Sequence, residues 1–150
     1  MKVDVEMIKK LRAQTGAGVS DCREALEETK GNMKKATEIL RKKGIESAAK
    51  KSEREVKAGG VFAYLHHTGR LGTLVALACE TDFVAKTEDF QKLGKELALH
   101  IASARPESIE ALVEQEYVRD PAKTVQELIK EVIGKLGENI QVVDFKTVVI

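Results

Sequence analysis

At Gly59-Gly60 the hydrophobic pattern of this chain changes period, and that change restricts the fold more than any other feature of its 150 residues. Upstream, apolar side chains recur at helical spacing. Downstream, two runs of strand composition, VFAYLHH and TLVALACE, flank a loop around Thr68-Gly69-Arg70. Two β-rich runs joined by a glycine-containing loop read as an antiparallel hairpin. The second run is almost continuously apolar, as a strand covered on both faces would be. A chain with both grammars is neither a pure helical bundle nor a pure β fold.

The upstream part predicts three short helices. Val5, Ile8 and Leu11 mark the first, which stops at Thr15-Gly16-Ala17-Gly18. Ser20 is the expected cap of the second, with Asp21 in its first turn, where the helix dipole favours an anion. Its apolar rows hold Cys22, Ala25, Leu26 and Thr29, and Gly31 ends it. Asn32 is the expected cap of a third helix, with Ala36, Ile39 and Leu40 as its stripe and Gly44 as its terminator. Residues 45–58 hold few large apolar groups and read as an exposed linker, helical at first. The division this implies is a three-helix module with its linker over 1–54 and an α+β core over 55–150.

Beyond the hairpin, Phe90, Leu93, Leu97 and Ile101 share one side of a helix that ends before Pro106. Thr124 and Glu127 have the spacing of a capping box, and Val125, Leu128, Ile129, Val132, Ile133 and Leu136 form the stripe that follows. Gly137 closes that helix, and Ile140 to Val149 returns to strand composition. The expected fold class is α+β: helices packed on a small, mostly antiparallel sheet of about three strands.

Charge and composition remove several classes of function. Twenty-five basic and 24 acidic side chains leave a formal charge of +1, so no global polyelectrolyte signal points to a nucleic acid. The average conceals a polarity: Lys30 to Lys57 carries ten basic and four acidic residues. A polarised surface can steer association with a charged partner, although a solvated helix face explains the same run. No apolar stretch approaches the roughly 20 residues that span a bilayer. The leading MKVDVEMIKKL carries acids and has no apolar stretch ending in small residues, unlike a secretory signal. The expectation is a cytoplasmic protein without membrane contact.

Covalent chemistry is hard to assemble. His66, His67, Cys22, Cys79 and Asp82 never form a paired metal-ligand spacing, so neither a metal nor a cofactor is expected. Cys22 and Cys79 both lie on apolar rows and read as small buried hydrophobes. The Gly16–Gly18 turn lacks the lysine of a phosphate loop and does not follow a strand. No dinucleotide fingerprint or serine elbow occurs. What remains is Thr81-Asp82-Phe83-Val84, an aromatic beside an acid, directly after a strand and before a helix. Phe83 either tucks onto the protein's own core or projects as an anchor for a partner.

LRAQTGAGVSDCREAL (Leu11 to Leu26) and CETDFVAKTEDF (Cys79 to Phe90) closely resemble bacterial elongation factor Ts. YLHHTGRLGTLVAL, LALHIASARPESI, LVEQEYVRDPAKTVQELI and KLGENIQVVDF extend that resemblance in order over nearly the whole chain. The resemblance implies a ubiquitin-associated-like N-terminal domain and a guanine-nucleotide exchange factor, not an enzyme, for elongation factor Tu. It implies partner contacts through Arg12, Thr15, Gly16, Ala17, Gly18 and Asp21 in the first motif, and through Thr81, Asp82, Phe83 and Val84 in the second. Phe83 is then an exposed wedge that disturbs the partner's magnesium site and phosphate loop. His66 or His67 matches a further contact histidine, with the register between the two left open.

The chain also departs from the family pattern. A longer helical stretch between the helix ending near Arg105 and LVEQEYVRD is reduced here to about half a dozen residues. A single core copy resembles short forms in which two chains pair, so a homodimer is a further expectation. The alternative from another class is a basic nucleic-acid-binding module using Lys34, Lys35, Arg41, Lys42, Lys43, Lys50 and Lys51. An acid–base or metal hydrolase built on His66, His67 and Asp82 is a third.

Overall fold

A computed structural model describes residues 2–150. Three helices open the chain: α1 (Val5–Thr15), α2 (Val19–Glu28) and α3 (Met33–Lys51). Asp4 caps α1 by accepting the Met7 N–H, and Asn32 caps α3 by accepting the Lys35 N–H. The cap of α2 is Gly18 in an extended conformation, not Ser20, which lies inside the first turn. Ile8, Leu11, Cys22, Ala25, Leu26, Ala36 and Leu40 form the small core of this module.

Gly44 does not end α3. The helix continues through it to Lys51, and Ala48 is buried in the main core. The reason is a close crossing with α7 (Val125–Leu136), where Gly44 lies against Gly134. A glycine within a helix costs roughly 1 kcal/mol relative to alanine, and here its missing side chain lets two backbones meet. Residues 45–51, expected as the helical start of an exposed linker, continue α3; Ala48 is buried in the core while Glu46, Ala49 and Lys50 stay exposed. Arg41 reinforces the crossing from the same face of α3, reaching Glu131 at 3.1 Å and Glu127 at 3.5 Å.

The core is a three-stranded antiparallel sheet in the order β1-β2-β5, formed by β1 (Ala58–Leu65), β2 (Leu71–Cys79) and β5 (Ile140–Val149). Its inner face packs on α5 (Glu88–Ala104), where Phe62 meets Phe90 edge-on at 5.9 Å between ring centroids. A Cβ at Gly94 of α5 would overlap the Phe62 ring, so the helix approaches the sheet only because that position is bare. Between α5 and α7 lie the short α6 (Ile109–Glu114) and a second, two-stranded sheet of β3 (Glu116–Tyr117) and β4 (Asp120–Thr124). The sequence offered no signal for that small hairpin. Thr124 and Glu127 form the capping box at the start of α7.

Burial along β2 alternates. Thr73, Val75, Leu77 and Cys79 are buried, whereas Leu74 on the opposite face is 50% exposed. The strand is thus covered on one face, not two. No helix among the described residues is long and apolar enough to cross a membrane.

Candidate partner-binding site

The first candidate segment is the turn between α1 and α2. Gly16 takes a left-handed conformation (φ 69°) and its N–H returns to the Arg12 carbonyl at 2.8 Å. The Thr15 hydroxyl donates to the Leu11 carbonyl and accepts the Ala17 N–H, closing the turn from within. Arg12, Gly16, Gly18 and Asp21 stay exposed, while Thr15 and Ala17 are half-buried. Cys22 lies beneath, its Sγ 3.8 Å from the Ala17 carbonyl. Burial raises its thiol pKa, so the thiolate is disfavoured.

The second candidate segment follows β2. Thr81 caps a one-turn helix, α4 (Asp82–Ala85), by accepting the Val84 N–H at 3.3 Å. Val84 and Ala85 turn inward and are buried, and Phe83 turns outward with 84% of its surface exposed. Asp82 and Thr81 are exposed beside it. Cys79 sits under the segment with Sγ 3.2 Å from the Thr81 carbonyl, and burial, then the neighbouring Glu138 carboxylate, raises its pKa. Neither cysteine is poised as a nucleophile.

Lys135 of α7 lies between the first segment and the start of α5. Its side chain lies so close to Gly16 that a Cβ there would sit 2.5 Å from the Lys135 Cγ. Its Nζ pairs at 3.2 Å with Asp89, in the first turn of α5, directly after α4. Thr15, Gly16, Lys135, Asp89 and Arg41 are among the residues around a cleft of about 620 Å³ between the N-terminal module and the core. Lys135 gave no sequence signal of this role, which depends on elements far apart in the chain.

His66 and His67 lie elsewhere. They start the β1–β2 loop, at the end of β2 opposite α4. Nine residues of extended strand put the two ends roughly 25 Å apart. The His66 ring meets the Tyr64 hydroxyl at 3.1 Å and packs edge-on against His67. The fold therefore does not gather His66, His67 and Asp82 into one acid–base centre. Among the basic residues of α3, Arg41 is engaged by Glu127 and Glu131, and Lys43 lies 3.6 Å from Glu24.

A further residue, Glu138, holds the second segment from below. The Glu138 carboxylate, just past α7, accepts the N–H groups of Glu80 and Thr81 at 3.1 and 2.9 Å and the Thr81 hydroxyl at 2.7 Å. Its partners are 57 and 58 positions away, so no local pattern could reveal it.

A family model described as Elongation factor TS matches residues 80–150, from the base of the Phe83 turn through Glu138 to β5. Elongation factor Ts of Fervidobacterium nodosum is 38% identical over 190 aligned residues, covering 97% of this chain and 96% of that one. Elongation factor Ts of Thermotoga maritima is 40% identical over 188 residues, covering 97% and 94%. That of Thermoanaerobacter pseudethanolicus is 39% identical over 183, covering 92% and 90%. An alignment of 190 positions against a chain of 150 residues places at least 40 of them opposite gaps in this chain. With identity at that level over nearly the full length of both partners, this chain belongs to the elongation factor Ts family of translation elongation factors.

Proposed function

We propose that the protein is a guanine-nucleotide exchange factor. It binds GDP-loaded elongation factor Tu, disturbs the magnesium site and phosphate loop, and lets GDP leave so that GTP can enter. One observation carries this reading. Phe83 is 84% exposed although both its flanks are fixed, Thr81 by hydrogen bonds and Val84 by burial. Such a ring is held out toward something other than its own core.

Exchange of this kind needs no covalent step. A protein that binds the empty GTPase more tightly than the loaded one must weaken nucleotide binding by the same factor. Burying one phenylalanine ring stabilises a complex by roughly 1.5–3 kcal/mol, about a ten- to hundredfold change if the pocket opens only in the empty form. Asp82, next to the ring, adds a negative charge that competes with the phosphates for the departing cation. Arg12 and the Thr15–Gly18 turn supply affinity on the partner's nucleotide-binding domain. His66 or His67, at the far end of the sheet, makes a separate contact.

The apolar character of β2 supports a homodimer. Leu74, Val61 and Val148 lie on the outer sheet face with 50, 67 and 71% of their surface exposed. A second copy placed sheet against sheet covers them, and β2 then has the two buried faces its composition suits.

Stopped-flow release of fluorescent GDP from the cognate elongation factor Tu tests the function. Release is expected to accelerate with added protein and to saturate; an unaltered rate refutes the proposal. The nucleic-acid reading is weakened by the ion pairs of Arg41 and Lys43, and predicts instead filter binding of RNA that falls steeply with salt.

A further inference from the structure

Glu138 holds the backbone that leads into the Phe83 turn. Its carboxylate takes two backbone N–H groups and one hydroxyl from the residues just before Asp82-Phe83, and such charge-assisted bonds are stronger than neutral ones. Because the Thr81 hydroxyl gives its hydrogen to Glu138, its lone pairs are left to receive the Val84 N–H. The Thr81 carbonyl receives the Ala85 N–H at 3.2 Å and faces the Cys79 thiol at 3.2 Å. Every polar group of Thr81 is therefore committed. A helix of four residues has no stability of its own, so α4 depends on these outside supports.

The base of the support is itself fixed. Asn139 is 2% exposed, and its side-chain N–H₂ donates to the carbonyls of Ser52 (3.3 Å) and Arg54 (2.8 Å), where the chain leaves α3. Adjacent side chains thus grip the Phe83 turn and the exit of the N-terminal module.

We infer that Glu138 is a positioning residue for exchange: it touches no nucleotide and acts by holding the turn that presents Phe83. This inference rests on the exchange reading of Phe83, and its test separates the two.

Because the chain contains no Trp, Phe83→Trp is a single fluorescent reporter of the turn. Time-resolved anisotropy of that chain is expected to show a restricted indole, and Glu138→Ala in the same background to add a large, fast local decay. In stopped-flow release of fluorescent GDP from elongation factor Tu, Glu138→Ala slows the saturating rate roughly tenfold, as a displaced contact group does, with little change in half-saturating concentration. Glu138→Gln keeps an acceptor for both N–H groups and recovers most of that rate. In a double-mutant cycle, Glu138→Ala added to Phe83→Ala produces no further slowing. A saturating rate equal to the parent's, or a slowing that adds fully to that of Phe83→Ala, overturns the inference. If Phe83→Ala alone leaves release unchanged, the exchange reading of Phe83 fails. The anisotropy then decides the clamp separately, an unaltered decay refuting it. Should Glu138→Ala fail to fold, Thr81→Val, which removes the shared hydroxyl, takes its place in the anisotropy comparison, where an unaltered decay overturns the inference.

Discussion

Gly44 of α3 and Gly134 of α7 meet backbone to backbone where the N-terminal module joins the core, and the contact is not symmetric. A Cβ on Gly134 would lie 2.6 Å from the Gly44 Cα, whereas one on Gly44 would lie 3.6 Å from the Gly134 Cα. The first is a clash with backbone, the second ordinary contact.

Gly134→Ala is therefore expected to destabilise despite its better helix propensity, by a net of about 1–2 kcal/mol. Thermal unfolding should show a Tm lower by roughly 2–8 °C. Gly44→Ala is expected to be neutral or to stabilise by up to about 1 kcal/mol. Equal losses in both variants would contradict this geometry.

Phe83→Ala should leave the melting temperature nearly unchanged, since substitution at an exposed position usually shifts stability by less than about 0.5 kcal/mol. Its saturating rate of GDP release from elongation factor Tu should drop by tenfold or more, following the burial lost. A normally folded variant with the parent's rate would remove Phe83 from the mechanism.

His100 gives stability a pH dependence. It is fully buried, accepts the Val118 N–H at Nδ1 (3.3 Å) and donates from Nε2 to Gln115 (2.9 Å). A second ring proton would face an N–H donor, and burial lowers the pKa below the ordinary 6.5. Above about pH 6.5 both folded and unfolded chains hold a neutral ring, and His100 adds no pH dependence. As pH falls below that value the unfolded chain binds the proton first, so stability declines until the folded ring also titrates. Melts recorded between about pH 7.5 and pH 5 should fall less steeply for His100→Asn than for the parent.

Leu74→Asp places a charge among the exposed apolar neighbours of Leu74 on the outer sheet face, which also carries Lys146 and Asp144 on β5. Sedimentation velocity should report a dimer for the parent and a monomer for this variant, with its far-UV spectrum unchanged. A monomeric parent at micromolar concentration would dismiss the sheet-to-sheet pairing.

What the sequence disclosed was whatever has a local cause. Thr124 and Glu127 announced α7 because both halves of a capping box lie within one turn. The hairpin of β1 and β2, the apolar side of α5 and the burial of Cys22 and Cys79 followed from spacing in the same way. Gly44 misled because glycine as a helix stop and glycine as a helix contact look identical until the partner helix is placed. Gly18 caps α2 without a chemical mark in the sequence, because it has no side-chain oxygen, and nearby Ser20 is the stronger local signal. The β3–β4 hairpin is too short for a period, and Pro121 argues against strand. At the candidate site, the position of Phe83 after a strand marks it out and leaves core and anchor readings open, the resemblance favours the anchor, and only the fold shows its ring outside. The roles of Glu138 and Lys135 are nonlocal and needed tertiary structure.

The support of both candidate turns from α7 and the residue just past it has a consequence for affinity. Because the glycine turn rests on Lys135 beside the middle of α3, and the aromatic turn rests on Glu138 just past α7, the two turns proposed as contacts are held at a fixed spacing before any partner arrives. The freedom that a tethered pair would surrender on docking has been surrendered during folding, so under the proposed two-point binding the second contact would follow the first at little additional entropic cost.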